Sequence, residues 1–179
     1  RPSFTIPQDT TLYKDSSCLF DSSASNTGDV TDEVDNCDAG VAATYSDSTS
    51  GSCEGEVIIT RTWTLTDDCG NASSGIQTIT ILDTILPSFT TPADTLLYVD
   101  DNCNVTTDIG ATGDVTDETD NCDTSVNATY NDVVTANCSG SYIIARTWSL
   151  VDDCGNLFED VQLITVLDTI RPSFTIPAD

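Results

Sequence analysis

Histidine and methionine are absent from this 179-residue chain, and its basic side chains amount to five. Those five are Lys14 and the arginines at 1, 61, 146 and 171, set against thirty Asp and Glu for a net charge of -25. Such a field repels nucleic acid and anionic membrane surfaces and attracts divalent cations, so functions that rest on a basic patch are excluded. No apolar run approaches the roughly 20 residues needed to span a bilayer, so membrane insertion is not expected. Helical periodicity is missing, as is any Cys-x-x-Cys pair or linear EF-hand loop.

What is present is a repeat. Residues 1–85 recur as 86–170 without insertion or deletion: Cys18, Cys37, Cys53 and Cys69 map onto Cys103, Cys122, Cys138 and Cys154, and Trp63 onto Trp148. Residues 171–179 restart the pattern of 1–9, so they read as the first strand of a third copy. The chain opens on Arg1 without a signal-like segment, which reads as a mature piece of something longer. A unit of this size buries only roughly 60 to 65 per cent of its unfolded surface and needs reinforcement. Four cysteines per copy, even in number and identically spaced, favour disulfides over zinc and place the protein in an oxidising, extracellular compartment.

β-Branched residues and Thr fill runs of alternating polarity bounded by Gly, Pro, Asp and Asn, which makes the class all-β. Val57–Thr66 and its counterpart Tyr142–Val151 are the clearest strands; Ile59, Arg61, Trp63 and Leu65 share one face. Ile76–Leu82 and Val161–Leu167 pair back across the Asp67–Asn71 turn and its counterpart. Upstream, Ser3–Ile6 and Thr10–Tyr13 form a first strand split at Pro7, Val41–Tyr45 a middle strand, and Gly28–Thr31 a short one. Strands at this spacing around one Trp fit tandem immunoglobulin-like sandwiches. Trp63 belongs to the core, Arg61 stacks on it or pairs with a carboxylate, and Tyr13, Tyr45, Tyr98 and Tyr130 are expected in the core as well.

Strands that alternate in direction bring Cys18 and Cys53 to one pole and Cys37 and Cys69 to the other. Three connectivities per repeat are open. The strand directions favour Cys18–Cys53 and Cys37–Cys69, repeated as Cys103–Cys138 and Cys122–Cys154.

The second pole also collects acids and asparagines: Asp32, Glu33, Asp35, Asn36 and Asp38 with Asp67, Asp68 and Asn71, then Asp117, Glu118, Asp120, Asn121 and Asp123 with Asp152, Asp153 and Asn156. These are hard oxygen donors suited to Ca²⁺. Two carboxylates about 4 Å apart repel by roughly 4 kcal/mol at an effective dielectric of 20, so a cluster of them calls for a counter-ion. A solvated acidic surface is the competing reading. Asp83 and Asp168 each end the last strand of a copy, ahead of a short linker without Gly or Ser, and Asp83 is expected to share a cation with the acids of the next copy.

Pro2-Ser-Phe, Thr31-Asp-Glu-Val-Asp-Asn-Cys37, Thr60-Arg-Thr-Trp-Thr-Leu-Thr-Asp-Asp-Cys-Gly-Asn71 and Gln77-Thr-Ile-Thr-Ile-Leu-Asp-Thr84 resemble the hyalin-repeat-like (HYR-like) modules of large cell-surface adhesins in gliding Bacteroidota. The resemblance covers both copies and implies an immunoglobulin-like fold, secretion and a place in long surface fibres. The chain departs from many such modules in lacking a cysteine on the last strand, where Ser73–Gly75 and Phe158–Asp160 stand. Asp83-Thr84-Ile85 and Asp94-Thr95-Leu96 also resemble the O-glycosylation pattern of that phylum.

A non-enzymatic, calcium-rigidified spacer or filament follows, with neighbouring repeats as its partners. The alternatives are a module that binds a surface glycan or protein, and a filament subunit assembled by terminal strand exchange. Catalysis ranks last: without histidine, and with Val99 where the other copy has Lys14, a nucleophile has no obvious base.

Overall fold

The computed structural model describes residues 1–176. Both repeats are built alike. The first contains β1 (Ser3–Thr5), β2 (Thr10–Tyr13), the one-turn α1 (Ala24–Thr27), β3 (Thr31–Val34), β4 (Thr44–Ser50), β5 (Val57–Thr66) and β6 (Ala72–Leu82). The second contains β7 (Ser88–Thr90), β8 (Thr95–Tyr98), α2 (Ile109–Thr112), β9 (Thr116–Thr119), β10 (Thr129–Cys138), β11 (Ser141–Val151) and β12 (Leu157–Leu167).

Each repeat is an immunoglobulin-like β-sandwich. In the first, a four-stranded sheet runs β2-β6-β5-β4 and a two-stranded sheet pairs β1 with β3; the second repeats this as β8-β12-β11-β10 and β7-β9. Neighbours are antiparallel except β2 with β6 and β8 with β12, which run parallel. Pro7 interrupts the opening segment because it has no N–H to give a ladder, so the chain leaves β1 in one sheet and resumes as β2 in the other. Gly28, at φ +95°, lets the chain pass close to the Pro7 ring, and Gly113 does the same against Pro92.

Alternation along β5 sends Ile59, Arg61, Trp63 and Leu65 inward, all at 3% exposure or less, against Ile79 and Ile81 of β6. Burying each aliphatic side chain contributes about 1.5–3 kcal/mol. Arg61 is an inward charge and is fully paired. Its guanidinium binds both Asp47 oxygens at 2.9 Å, the Thr27 hydroxyl at 2.8 Å and the Ser22 carbonyl at 2.7 Å, and lies 4.1 Å from the Tyr45 ring centroid. Gln77, opposite Arg61, accepts from the Trp63 indole and donates to the carbonyls of Gln8 and Thr27. These two side chains tie the irregular segment before β3 to the main sheet; Arg146 and Gln162 do so in the second repeat.

Several sequence expectations shift. The middle strand is Thr44–Ser50, not Val41–Tyr45: every residue of this edge strand is exposed, so no apolar alternation marks it. The short strand begins at Thr31, not Gly28, because Ala24–Thr27 closes one helical turn just before it. β6 and β12 start four residues earlier than expected, pairing down to the turn. The four tyrosines are exposed, Tyr13 by 62%, since they stand on outer faces or cover the Arg–Trp pair from outside. Residues 171–176 form no strand, and the last three of the 171–179 segment lie outside the described residues.

The chain divides into two compact units. The first takes Arg1–Ile85 together with Asp120–Thr124 and Asp152–Asn156; the second takes Leu86–Thr119, Ser125–Val151 and the residues from Leu157 onward.

Candidate metal centre

All elements of the centre belong to the first unit. β6 delivers Asp83 at its exit, Asp120 opens one short loop and Asp152 the other. Carboxylate oxygens of the three lie within 4.8 Å of one another. Asp83 and Asp152 are 7% and 5% exposed. At that spacing each pair repels by roughly 3 to 4 kcal/mol at an effective dielectric of 20. Among the described residues no ion pair involves any of the three.

Local hydrogen bonding orients each carboxylate. Asp152 Oδ1 accepts from Asn156 N and Oδ2 from Asn156 Nδ2, closing a tight loop in which Gly155 takes φ +90°. Asp120 Oδ1 accepts from the backbone N–H of Cys122 and Asp123. Asp83 Oδ1 accepts from Ile85 N and from Asn121 Nδ2. Two buried oxygens are left without a donor: Asp120 Oδ2 and Asn121 Oδ1. Three carboxylates, with a buried oxygen of Asp120 unsatisfied, form a hard-oxygen donor set that fits a Ca²⁺ ion.

Two disulfides frame this centre, Cys18–Cys122 and Cys53–Cys154, with Cα atoms 5.0 and 5.3 Å apart. The expected Cys18–Cys53 and Cys37–Cys69 bridges, and their copies Cys103–Cys138 and Cys122–Cys154, are therefore corrected. Cys18 and Cys53 do lie near one another, since Lys14 Nζ contacts both Cys18 Sγ and the Glu54 carbonyl, and Cys37 and Cys69 line one cleft. The sulfurs bond across an 85-residue offset: Cys122 is the counterpart of Cys37 and Cys154 of Cys69. In a sequence of two identical spacings, a partner within one copy and the same partner one copy on are indistinguishable.

Further hydrogen bonds surround the bridges. Asn121 Nδ2 donates to the Asp15 carbonyl, Asn156 Nδ2 to the Asp83 carbonyl, and Glu54 N to Asp153 Oδ2 at 2.7 Å. A Cβ at Gly55 would sit 2.8 Å from Cys154 Sγ, so only glycine leaves room for the bridge. Asp15 Oδ1 accepts from Ser17 N and Leu19 N, folding the turn that carries Cys18; the N–H of Leu19, then that of Ser17, hold its carboxyl below the usual carboxylate range.

Of the other acids expected to bind metal, Asp153 faces the Cys53–Cys154 bridge, whose sulfurs are already spent on each other. Glu33 and Glu118 accept from Ala43 N and Ala128 N, and Asp32 and Asp117 accept from threonine hydroxyls; none of the four is among the acids that cluster. Asp35, Asp67 and Asp68 form the counterpart cleft of the first repeat, with Cys37 and Cys69. There Asp35 Oδ2 is unpaired by any hydrogen bond, 3.4 Å from the N-terminal ammonium. Asp168, the counterpart of Asp83, is exposed. Sequence reasoning passed over Lys14 and Gly55 as parts of the centre; neither is acidic, and only the folded loops bring them to the bridges.

Hydroxyls that meet carboxylates, such as Ser149 with Glu159 and Thr91 with Asp160, do so on the exposed surface, and Lys14 is engaged with Cys18 and Glu54, so no catalytic site is evident among the described residues. No family model matches the chain, and no curated protein sequence does. Solved structures do match. A Drosophila N-cadherin EC1-4 structure is similar at 15% identity and a TM-score of 0.35, over 94% of this chain and 49% of that one. A protocadherin gamma B7 EC1-4 structure follows at 12% and 0.31, over 93% and 51%, and human protocadherin-24 EC1-2 at 11% and 0.32, over 96% and 99%. The chain thus spans about half the length of the first two. Values this low carry no argument about ligand or partner.

Proposed function

We propose that the chain is a non-enzymatic structural repeat of an extracellular fibre or cell-surface adhesin, stiffened by calcium held at Asp83, Asp120 and Asp152. The observation that carries this reading is the convergence of three carboxylates, two of them nearly buried and the third, Asp120, with a buried oxygen that no donor meets. A divalent ion there supplies charge neutralisation and nothing else. Asp83 brings the end of β6, Asp120 and Asp152 bring the two disulfide-bonded loops, and an ion shared by all three opposes their separation. The two disulfides support an oxidising setting, and the resemblance to hyalin-repeat-like adhesin modules supports a surface role.

Titration calorimetry with CaCl2 tests the reading. Binding is expected for the unaltered chain and for Asp168→Asn, with at least a tenfold loss of affinity in Asp83→Asn. Chelation is expected to lower the melting temperature of the unaltered chain. An unaltered chain that takes up no calcium at millimolar concentration would overturn it.

A second reading, assembly by strand exchange, is favoured by Phe174 and Ile176, which are 85% and 77% exposed where the equivalent Phe4 and Ile6 are half-buried. Reductant-resistant dimers in light scattering would support it; a monomer at high concentration would sink it.

A further inference from the structure

We propose that Cys37 and Cys69 of one chain form two disulfides with Cys103 and Cys138 of a second copy, head to tail. The bonded pairs define a rule: the first cysteine of a repeat joins the second cysteine of the next, and the third joins the fourth. The four cysteines left over are the remaining halves of that rule. Cys103 and Cys138 are the first and third of their repeat, Cys37 and Cys69 the second and fourth of theirs, and all four are exposed thiols.

The surroundings repeat along with the sulfurs. On the receiving side, Asn36 stands where Asn121 donates to the Asp15 carbonyl, and Asp68 where Asp153 accepts from Glu54 N. Both contacts on the donating side are backbone atoms, so the counterparts Asp100 and Ser139 supply them whatever their side chains. Asp100 folds the Cys103 turn as Asp15 folds that of Cys18, accepting from Asn102 N and Asn104 N. Gly140 keeps open the space that Gly55 keeps for a sulfur.

The acids of the receiving cleft repeat as well. The Asp35 side chain is 3% exposed, with its Oδ2 3.4 Å from the N-terminal ammonium, and it stands where Asp120 stands in the bonded centre. In the joint, Asp168 of the second copy would stand beside Asp35 and Asp67 as Asp83 stands beside Asp120 and Asp152.

Each bridge consumes one molecule of a small disulfide such as glutathione disulfide. Two protein thiols lose two electrons and two protons to form the bond, and two molecules of glutathione leave. A joint therefore takes two equivalents. The linkage does not depend on calcium occupancy.

Two single-ended variants test it: Cys37→Ser with Cys69→Ser, and Cys103→Ser with Cys138→Ser. The substituted thiols are exposed and unbonded, so both internal bridges persist, and far-UV circular dichroism with non-reducing peptide mapping verifies this. With glutathione disulfide the unaltered chain is expected to form a ladder on non-reducing gels that collapses in dithiothreitol. Each variant alone is expected to stay monomeric, and their mixture to give at least tenfold more dimer than either. Mass spectrometry should find Cys103 joined to Cys37 and Cys138 to Cys69. An unaltered chain that stays monomeric, an internal Cys37–Cys69 bridge, or dimers of one variant alone would overturn the proposal. The same ladder is expected in calcium and in chelator, so its failure and that of the calcium reading are read separately.

Discussion

The two repeats carry the same fold with different fillings at one place and opposite fates at another. Trp63 stands opposite Gly75, whose missing side chain admits Ile6; Trp148 stands opposite Asp160, which accepts a hydrogen bond from Thr91. The position thus tolerates an apolar plug or a polar pair, provided both partners change together. The acidic clusters teach something else. Asp83 and Asp168 each follow a leucine at the end of a closing strand, yet one is buried among carboxylates and hydrogen-bonded asparagines while the other is exposed. Side-chain identity sets the sandwich; the surrounding loops set the state of the acid.

Experiments that break this comparison differ in expected size. Removing Cys122 and Cys154 together, each to Ser, opens bridges between residues 104 and 101 apart, and a loss of about 4 kcal/mol or more per bridge is expected in the chain-entropy model. The matched change at Cys37 and Cys69 is expected to cost less than about 0.5 kcal/mol, as exposed substitutions do. Urea denaturation measures both. Next come Arg61→Ala and Arg146→Ala. Each strands an aspartate and a buried hydroxyl, and each is expected to lose about 3 kcal/mol or more, by similar amounts because the two networks match contact for contact.

A double-mutant cycle sharpens the filling. Gly75→Asp alone drives a side chain into Ile6, whereas Gly75→Asp with Ile6→Thr recreates the second repeat's pair, and a favourable coupling of about 1 to 3 kcal/mol is expected. The smallest effect concerns acid. Backbone N–H groups, Leu19 first for Asp15 and Asn104 first for Asp100, lower both carboxyls in the folded chain. Their contribution is thus present above the unfolded carboxylate value of about 3.9 and is lost as pH falls through the lower folded value. Asp15→Asn and Asp100→Asn should flatten the acid side of a stability-versus-pH curve to the same slight degree.

The strand β5 was legible to the residue, because Ile59, Arg61, Trp63 and Leu65 alternate against threonines. β4 was not, since Ser, Thr and Asp on an exposed edge leave no contrast between its faces. α1 and α2 are single turns, too short for any period. Asp83, Asp120 and Asp152 were within reach of strand-order reasoning. Asp117 and Glu118 fall outside the cluster of Asp83, Asp120 and Asp152, because composition does not tell which neighbouring acids a loop turns toward one another. The disulfide partners were hidden by the repeat itself, which makes every internal pairing look the same as one shifted by a full copy.

The parallel pairing of β2 with β6 places the opening and closing strands of a repeat side by side, Thr10 through Tyr13 along Ile79 through Leu82. Tension applied to the two ends drags these strands past each other in opposite directions. The whole patch of backbone hydrogen bonds is then loaded at once and must fail together, where an antiparallel hairpin would unzip bond by bond. Each sandwich carries its own shear clamp, a property suited to a tether that is pulled.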